Sequence, residues 1–279
     1  MKLRPVYFAG YWLTRILSWV LFRPRIIGRE NVPRHGGFIM ASNHISYYDP
    51  PLVGSWQRRR MYFFTKQELF RNRLFGAILR ACNSLPVKRG TIDREAIRLA
   101  VETIHQGYGL VLFPEGTRSH SDQFLPAKAG LGVVARTAEC PIVPAYLHGS
   151  NMLRDCFRRR TRLTIVYGEP FSTDWVRSFP AEKSGYQAIA EAVMERIRAH
   201  LVSTNQAAIS GFFDALKRRL GRHVTRVVVI PLYGRVNEFA TIEDAVRFLD
   251  RHMIYEGSGE FRKYELRIEF SNGDKVEAF

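Results

Sequence analysis

The chain has 279 residues, which suits one large domain or a domain of about 200 residues with a smaller one attached. Hydrophobic residues make up 46% of the chain and aromatic residues 13%, which excludes global disorder, and the three cysteines include no CxxC pair, which excludes a zinc knuckle. The net charge of +16 is concentrated in the first 221 residues, which hold 33 basic and 16 acidic side chains; it attracts nucleic acid, anionic lipid or a phosphorylated substrate.

The amino-terminal segment, residues 6–22, reads VYFAGYWLTRILSWVLF and predicts an apolar helix. Its length is at the lower limit for a bilayer span, and Arg15 would be costly near the bilayer centre. Its tyrosines and tryptophans favour the membrane–water boundary, and Arg23 and Arg25 follow it, suited to anionic headgroups. We therefore predict that residues 1–28 form a membrane-associating element whose helix lies in the interface. The alternative is a core helix with one snorkelling arginine.

Residues 29–203 alternate short apolar runs with amphipathic segments. The apolar runs predict strands at residues 37–41, 61–65, 84–87, 109–113, 142–147 and 163–167. The amphipathic segments predict helices at residues 70–79, 93–105, 128–138 and 186–200. Strands that alternate with helices indicate an α/β catalytic domain with a mixed, largely parallel sheet sandwiched by helices.

The carboxy-terminal part differs in charge, since residues 222–279 hold nine basic and ten acidic side chains. Residues 203–206 predict a joint between domains, and residues 204–221 a basic amphipathic connecting helix. The remainder predicts a small α+β unit of βαββ order, with a capped helix at 241–252 and a hairpin turn at Asn272–Gly273. A unit of this size needs a partner surface, so we expect an accessory role in dimerisation, donor docking or regulation.

The stretch SNHISYYDP, residues 42–50, places a histidine and an aspartate five residues apart, directly after a predicted buried strand. Open α/β folds place their chemistry at the carboxyl ends of strands. Because positions five apart lie on different faces of a regular helix, His44 and Asp49 can meet only if a turn or a helix start lies between them, which Pro50 and Pro51 favour. His44 would then be a base oriented by Asp49. The alternative is a loop histidine followed by a capping aspartate.

Three further segments carry chemistry-bearing residues near apolar strands: PVKRG with Lys88 and Arg89, FPEGTRS with Glu115 and Arg118, and PIVPAYL at residues 141–147. If the strands are parallel neighbours, their carboxyl ends bring His44, Glu115 and Arg118 to one edge. A base, a carboxylate and cations in one cleft suit acyl or phosphoryl transfer with an anionic substrate. The alternative for Glu115 and Arg118 is a structural ion pair.

These segments together resemble the motifs of a known family. NHISYYD matches the NHxxxxD signature of the glycerolipid acyltransferases, FPEGTRS matches their third motif, and PVKRG and PIVPAYL resemble the second and fourth. The chain is most similar to the bacterial 1-acylglycerol-3-phosphate acyltransferases. The resemblance implies transfer of an acyl group from an acyl thioester, of acyl carrier protein or coenzyme A, to lysophosphatidic acid, giving phosphatidic acid.

The resemblance also implies roles for individual residues. His44 and Asp49 would be catalytic, and Lys128 would attract the phosphopantetheine or coenzyme A of the donor. Guanidinium groups bind phosphate through paired hydrogen bonds, and glycine allows close backbone approach. The implied acceptor site therefore contains Lys88, Arg89, Glu115, Gly116, Thr117 and Arg118. The substrate hydroxyl would attack directly; a covalent route through Ser42 or Ser46 is the alternative.

No metal and no permanently bound cofactor is expected, with acyl-CoA or acyl carrier protein as the co-substrate. The implied location is the cytoplasmic face of the cell membrane, as a peripheral or monotopic protein. Alternatives are another acceptor, such as lyso-ornithine lipid, or a non-catalytic basic module that binds membrane or RNA. Nucleic acid is not expected as a partner, because RNP-type, KH and zinc patterns are missing. The basic run at residues 158–162, RRRTR, is interpreted as a solvated loop.

Overall fold

The computed structural model of the chain describes residues 5–88, 93–119, 124–220, 224–231, 237–239, 244, 264–270 and 275–278. It divides into two compact units, Met1–Arg198 and Ala199–Phe279. The first unit contains every described residue of the four sequence motifs, so its sheet is the scaffold for the candidate site.

The first unit is built on a seven-stranded sheet. Its strands are β1 (Arg25–Ile27), β2 (Phe38–Ser42), β3 (Met61–Lys66), β4 (Ser84–Val87), β5 (Gly109–Leu112), β6 (Ile142–His148) and β7 (Thr164–Tyr167). The spatial order is β1-β7-β6-β2-β5-β3-β4. The five strands from β6 to β4 are parallel, whereas β7 is antiparallel to β6 and parallel to β1. The predicted mixed, largely parallel sheet is confirmed, and β1 is an edge strand that the sequence analysis missed.

Helices cover the sheet, and their bounds follow from capping residues and apolar spacing. Asn72, Asp93 and Ser172 each accept a hydrogen bond from a first-turn N–H of α3, α4 and α7. The helices are α1 (Pro5–Phe22), α2 (Asp49–Ser55), α3 (Arg73–Ala81), α4 (Arg94–His105), α5 (Gly130–Ala138), α6 (Leu153–Phe157), α7 (Thr173–Arg177) and α8 (Lys183–Leu220). Short 3-10 turns occur at Arg29–Asn31 and Gln67–Phe70.

The central strand β2 is buried along its whole length, as its five-residue apolar run predicts. Phe38 and Met40 belong to a core cluster that includes Trp56 beside α2 and Cys156 of α6. Alternate residues of a strand point to opposite faces, so Ile39 and Ala41 face the helical layer on the other side of the sheet from this cluster. That layer contains α4, α5 and α7, and α5 contacts both of the others. With helices on both faces, only the strand ends remain available to a polar substrate.

Helix α1 docks on the first unit through one polar face. The N–H of Met61 donates to the Tyr7 hydroxyl at 2.9 Å, the Tyr11 hydroxyl donates to the Gln57 carbonyl at 2.7 Å, and Trp56 Nε1 donates to the Ser18 hydroxyl at 3.0 Å. The Arg15 guanidinium lies on this docked face, 5.1 Å from the centre of the Trp56 ring. Arg15 is therefore held against the protein.

The opposite face of α1 is an exposed apolar surface, with Trp12 at 53%, Ile16 at 54% and Trp19 at 61% of full exposure. The predicted amino-terminal helix is present, and this face does not belong to a core. Within the described ranges, no helix combines the length and the apolar character needed to cross a membrane.

The second unit contains four antiparallel strands. They are β8 (Val224–Pro231), β9 (Asn237–Phe239), β10 (Tyr264–Phe270) and β11 (Lys275–Ala278), in the order β11-β10-β8-β9. The sequence analysis missed β9. Apart from Asp244, which is helical, the predicted helix at 241–252 and the turn at Asn272–Gly273 lie outside the described residues.

Helix α8 differs from the prediction, because one helix runs from Lys183 to Leu220 where the sequence analysis placed two helices with a joint at residues 203–206. Serine, threonine and asparagine cost only a few tenths of a kcal/mol each in a helix interior, so a short polar run is compatible with a continuous helix. The proposed accessory role of residues 222–279 stays a prediction.

Candidate active site

The site is built at the carboxyl edge of three adjacent parallel strands, β6, β2 and β5. Immediately after β2, the side-chain amide of Asn43 makes the two hydrogen bonds that a backbone partner would make in the sheet. It donates to the Leu147 carbonyl at 2.9 Å and accepts from the Leu147 N–H at 2.8 Å. This side chain extends the β2–β6 ladder by one step and fixes the backbone from which His44 departs. The asparagine thus bonds across the sheet to the neighbouring strand β6.

The His44 and Asp49 side chains meet as predicted. Nδ1 of His44 lies 2.8 Å from Oδ2 of Asp49, because the chain turns through residues 45–48 and α2 begins at Asp49, with Pro50 and Pro51 in its first turn. The His44 ring is buried and stacks on Phe113, with ring centres 3.9 Å apart and planes 17° apart. A proton on Nδ1 donates to the carboxylate and leaves Nε2 as the basic nitrogen.

Four donors converge on the buried Asp49 carboxylate. Oδ2 accepts from the His44 ring and from the N–H groups of Ile45 and Ser46, both at 2.7 Å. Oδ1 accepts from the hydroxyl of Ser150 at 2.5 Å. A fully buried charge is stable only if hydrogen bonds replace its hydration, and these four bonds do so. The carboxylate is therefore fixed in the orientation that holds the imidazole.

Glu115 connects the third motif to His44 through the backbone. Its Oε1 accepts from the His44 N–H and its Oε2 from the Leu125 N–H, each at 3.0 Å. The N–H of Ser119 donates to the His44 carbonyl at 2.8 Å, so both backbone polar groups of His44 bond to the third motif. Burial raises the pKa of the Glu115 carboxyl, while the two backbone N–H groups act in the opposite direction.

The rest of the third motif lies at the rim of the site. Gly116 has a φ of +70°, and a Cβ there would lie 3.0 Å from the side chain of Lys128. A side chain at this position would be strained and would displace the lysine. The guanidinium of Arg118 is half-buried and lies 3.5 Å from the centre of the Tyr47 ring, a cation–π stack, while Thr117 is exposed.

Lys88 lies farther away at the same edge of the sheet. It is exposed and follows β4, which is three strands from β2, or about 14 Å at about 4.8 Å per strand. Its N–H donates to the Asp93 carboxylate at 2.9 Å. Arg89 lies outside the described residues, so its part in the site stays a prediction.

Two serines considered as nucleophiles are engaged in local bonds. The Ser42 hydroxyl donates to the Asn43 carbonyl at 3.2 Å, and the Ser46 hydroxyl accepts from the Tyr48 N–H at 3.2 Å. The geometry therefore favours direct attack by a substrate hydroxyl. Among the described residues, no group of three or more His, Cys, Asp or Glu side chains could hold a metal ion.

Comparison with known proteins agrees with this geometry. Residues 23–148 match the sequence model of the family described as Acyltransferase, a range that includes His44, Asp49, Glu115 and Arg118. Within residues 23–148, which are less than half of its length, the chain is therefore similar to the acyltransferases. The match ends with β6, the strand of the fourth motif.

Several named proteins are similar to this chain. The chain is 27% identical over 175 residues to the 1-acyl-sn-glycerol-3-phosphate acyltransferase of Bacillus subtilis, covering 62% of this chain and 86% of that protein. It is 25% identical over 158 residues to the enzyme of the same name from Streptococcus pneumoniae, covering 56% of this chain and 57% of that protein. A lyso-ornithine lipid O-acyltransferase of Pseudomonas aeruginosa is 32% identical over 114 residues, covering 40% of this chain and 42% of that protein. The chain thus spans less than two thirds of the last two proteins.

The fold of the chain is also similar to that of a solved structure. The crystal structure of the 1-acyl-sn-glycerophosphate acyltransferase of Thermotoga maritima matches with a TM-score of 0.53 and 22% identity, covering 68% of this chain and 77% of that one. At this identity the similarity supports the fold alone.

The candidate site contains residues that the sequence analysis missed. Ser150 follows β6 and reaches Asp49 from 101 positions away, and Phe113 and Tyr47 supply the rings that contact His44 and Arg118. A sequence signal existed for Ser150, since it is a polar residue just past a buried strand of the same predicted sheet. Pairing it with Asp49 requires the β2–β6 register, which local patterns do not provide.

Proposed function

We propose that the protein is a peripheral membrane O-acyltransferase that moves an acyl group from an acyl thioester to the free hydroxyl of lysophosphatidic acid, giving phosphatidic acid. The observation that carries the proposal is the buried His44–Asp49 pair, with Nδ1 and Oδ2 2.8 Å apart, at a sheet edge that also holds Arg118 and Lys128. The names of the Bacillus and Streptococcus relatives support the same acceptor.

The chemistry follows from the basic Nε2 of His44. The acceptor hydroxyl has a pKa far above 7, so its attack on the thioester needs a base in contact with it. The hydroxyl oxygen bonds to the thioester carbonyl carbon as its proton passes to Nε2. The carbon–sulfur bond then breaks, and the leaving thiolate takes the proton back from the imidazolium. Asp49 holds the ring and stabilises the imidazolium throughout.

The acceptor phosphate would bind at the rim formed by the third motif. The Arg118 guanidinium lies over the Tyr47 ring, 3.5 Å from its centre, and a guanidinium is suited to paired hydrogen bonds with phosphate oxygens. Arg89 and Lys88 from the second motif would add charge, and Lys128 beside Gly116 would attract the donor. Glu115 uses both oxygens on backbone N–H groups, so we assign it a positioning role for His44 and the following loop.

Membrane association would occur through α1. Its docked face leaves Trp12, Ile16 and Trp19 pointing away from the protein, and tryptophan favours the membrane–water boundary. With Arg15 on the protein side, no charge opposes the insertion of the exposed face into the interface. The cytoplasmic face of the cell membrane, where acyl thioesters are available, is the location we propose.

A second acceptor is supported by one comparison, the 32% identity with a lyso-ornithine lipid O-acyltransferase. The test is incubation of the full chain with a panel of lyso-lipids and with labelled acyl-CoA or acyl carrier protein, followed by identification of the products by mass. Phosphatidic acid as the main product supports the proposal. A ninhydrin-positive product, with no turnover of lysophosphatidic acid, contradicts it and favours the second acceptor.

A further inference from the structure

The chain carries a second basic cluster, which lies before the start of β7 at the same edge of the sheet as the candidate site. Its centre is the arginine loop, which we define as residues 158–162 (RRRTR), between α6 and β7. We propose that the arginine loop and the exposed face of α1 form one surface that binds the headgroups of an anionic phospholipid bilayer. The inference rests on the proposed membrane attachment of α1 and extends it to a distant segment of the chain, which sequence analysis interpreted as a solvated loop.

Both ends of the arginine loop are fixed beside α1. Helix α6, directly before the loop, contacts α1. Directly after the loop, the Leu163 carbonyl accepts from the Arg25 N–H at 2.8 Å, and Thr164 pairs with Arg25 in the sheet. Because β1 begins three residues after α1 ends, the loop lies next to the carboxyl end of that helix.

The loop is an ordered turn that presents its side chains outward. The N–H groups of Arg158, Arg159 and Arg160 donate to backbone carbonyls of residues 154, 156 and 155, at 3.0, 3.2 and 2.9 Å. Arg159 has a left-handed φ of +60°, which the turn requires. The side chains of all four loop arginines are exposed. The turn therefore fixes the backbone from which the four exposed arginines project.

Neighbouring residues enlarge the basic cluster. Arg154 precedes the loop, and Arg23 and Arg25 lie at the end of α1 and the start of β1, all three exposed. Residues 20–27 and 151–162 together hold seven arginines and one carboxylate, Asp155, which lies 4.0 Å from Arg160. Such a concentration of like charge attracts anions strongly.

Apolar side chains beside the cluster decide which partner fits. Trp19 and Val20 in the last turn of α1 are 61% and 55% exposed, and Phe157, directly before the loop, is 59% exposed. An acidic protein would complement the charge of the arginines but not the exposed apolar side chains beside them. A bilayer interface offers anionic headgroups to the arginines and acyl chains to these rings, and the apolar surface continues along α1 through Ile16 and Trp12.

The test is co-sedimentation of the full chain with vesicles made of equal parts phosphatidylcholine and phosphatidylglycerol. The variant replaces Arg158, Arg159, Arg160 and Arg162 by glutamine. Each basic side chain at an anionic surface adds about fivefold to partitioning, so we expect a loss of at least about tenfold. The corresponding lysine variant should retain vesicle binding. Rising salt should weaken the vesicle binding of the wild type more than that of the glutamine variant. The pair Arg158→Gln and Arg160→Gln serves as a milder variant if the four-fold change impairs folding.

A matched control removes the same charge elsewhere. The chain offers Arg94, Arg98, Arg177 and Lys183, all exposed on α4, α7 and the start of α8, for replacement by glutamine. Unchanged binding of the control supports the proposal. Equal losses in both variants, or a loop variant that binds vesicles normally but fails to bind acyl carrier protein, would overturn it. Turnover of a soluble short-chain lyso-lipid is measured in parallel, so a failure of the proposed chemistry is seen separately.

Discussion

The hydrogen bond from Ser150 to Asp49 leads to a specific prediction. Ser150→Ala removes the donor to Oδ1 and leaves the three bonds to Oδ2 in place. Hydrogen bonds to charged groups contribute about 1.5–3 kcal/mol, and Asp49 is fully buried, so water does not readily replace the lost donor. For a unit of about 200 residues this corresponds to a decrease in Tm of about 3–12 °C.

The same change should lower kcat by about tenfold, because the carboxylate loses one of the contacts that orient it toward His44. Ser150 is buried beneath Asp49, so we expect KM to change little. Ser150→Thr retains a hydroxyl and should restore most of the activity. Thermal unfolding and steady-state kinetics of the wild type and the two variants measure these effects. A raised KM with unchanged kcat, or full activity in Ser150→Ala, would refute the positioning role.

Three further predictions concern other parts of the site and the membrane surface. Burial raises the pKa of Glu115 in the folded state, so its contribution to stability is present below the unfolded pKa of about 4.5 and is lost as the pH rises through the folded pKa. The unfolding free energy of the wild type, measured relative to that of Glu115→Gln, should therefore fall as the pH rises across that window. A difference that does not change with pH would contradict the assignment. Tyr47→Ala should raise KM for a phosphorylated acceptor several-fold while Tyr47→Phe does not, since the ring face alone supports Arg118; equal KM values in the two variants would argue against the stack. The combined variant Trp12→Glu, Ile16→Glu and Trp19→Glu should no longer bind anionic vesicles, with little change in turnover of a soluble acceptor. Vesicle binding retained by this variant would mean that another surface anchors the protein.

The sequence predicts the sheet and the dyad because both depend on local signals. Short apolar runs mark the strands. A polar pair five residues apart after such a run can meet only if a turn or a helix start lies between its members, and the structure has a turn followed by α2 at Asp49. The shared edge of β2 and β5 then follows from the parallel order. These are patterns within a few residues or consequences of the fold class.

The parts that the sequence does not predict depend on long-range register or on weak local preference. Ser150 reaches Asp49, and Asn43 reaches Leu147, only because β6 lies next to β2. The docked orientation of Arg15 depends on its contact with Trp56. The single helix α8 shows the other kind of failure, since a polar run is a weak signal for a break.

The most direct test is the His44→Ala variant in the transfer of an acyl group from a labelled thioester to lysophosphatidic acid, with the product identified by mass. A matched control is His105→Ala, an exposed histidine at the end of α4. A general base contributes about 10²- to 10⁴-fold, so His44→Ala should lose turnover on that scale. Its Tm should fall by about as much as that of Ser150→Ala, because Asp49 again loses one donor, whereas His105→Ala should behave as the wild type. Near-normal turnover in His44→Ala would contradict the assignment of His44 as the base.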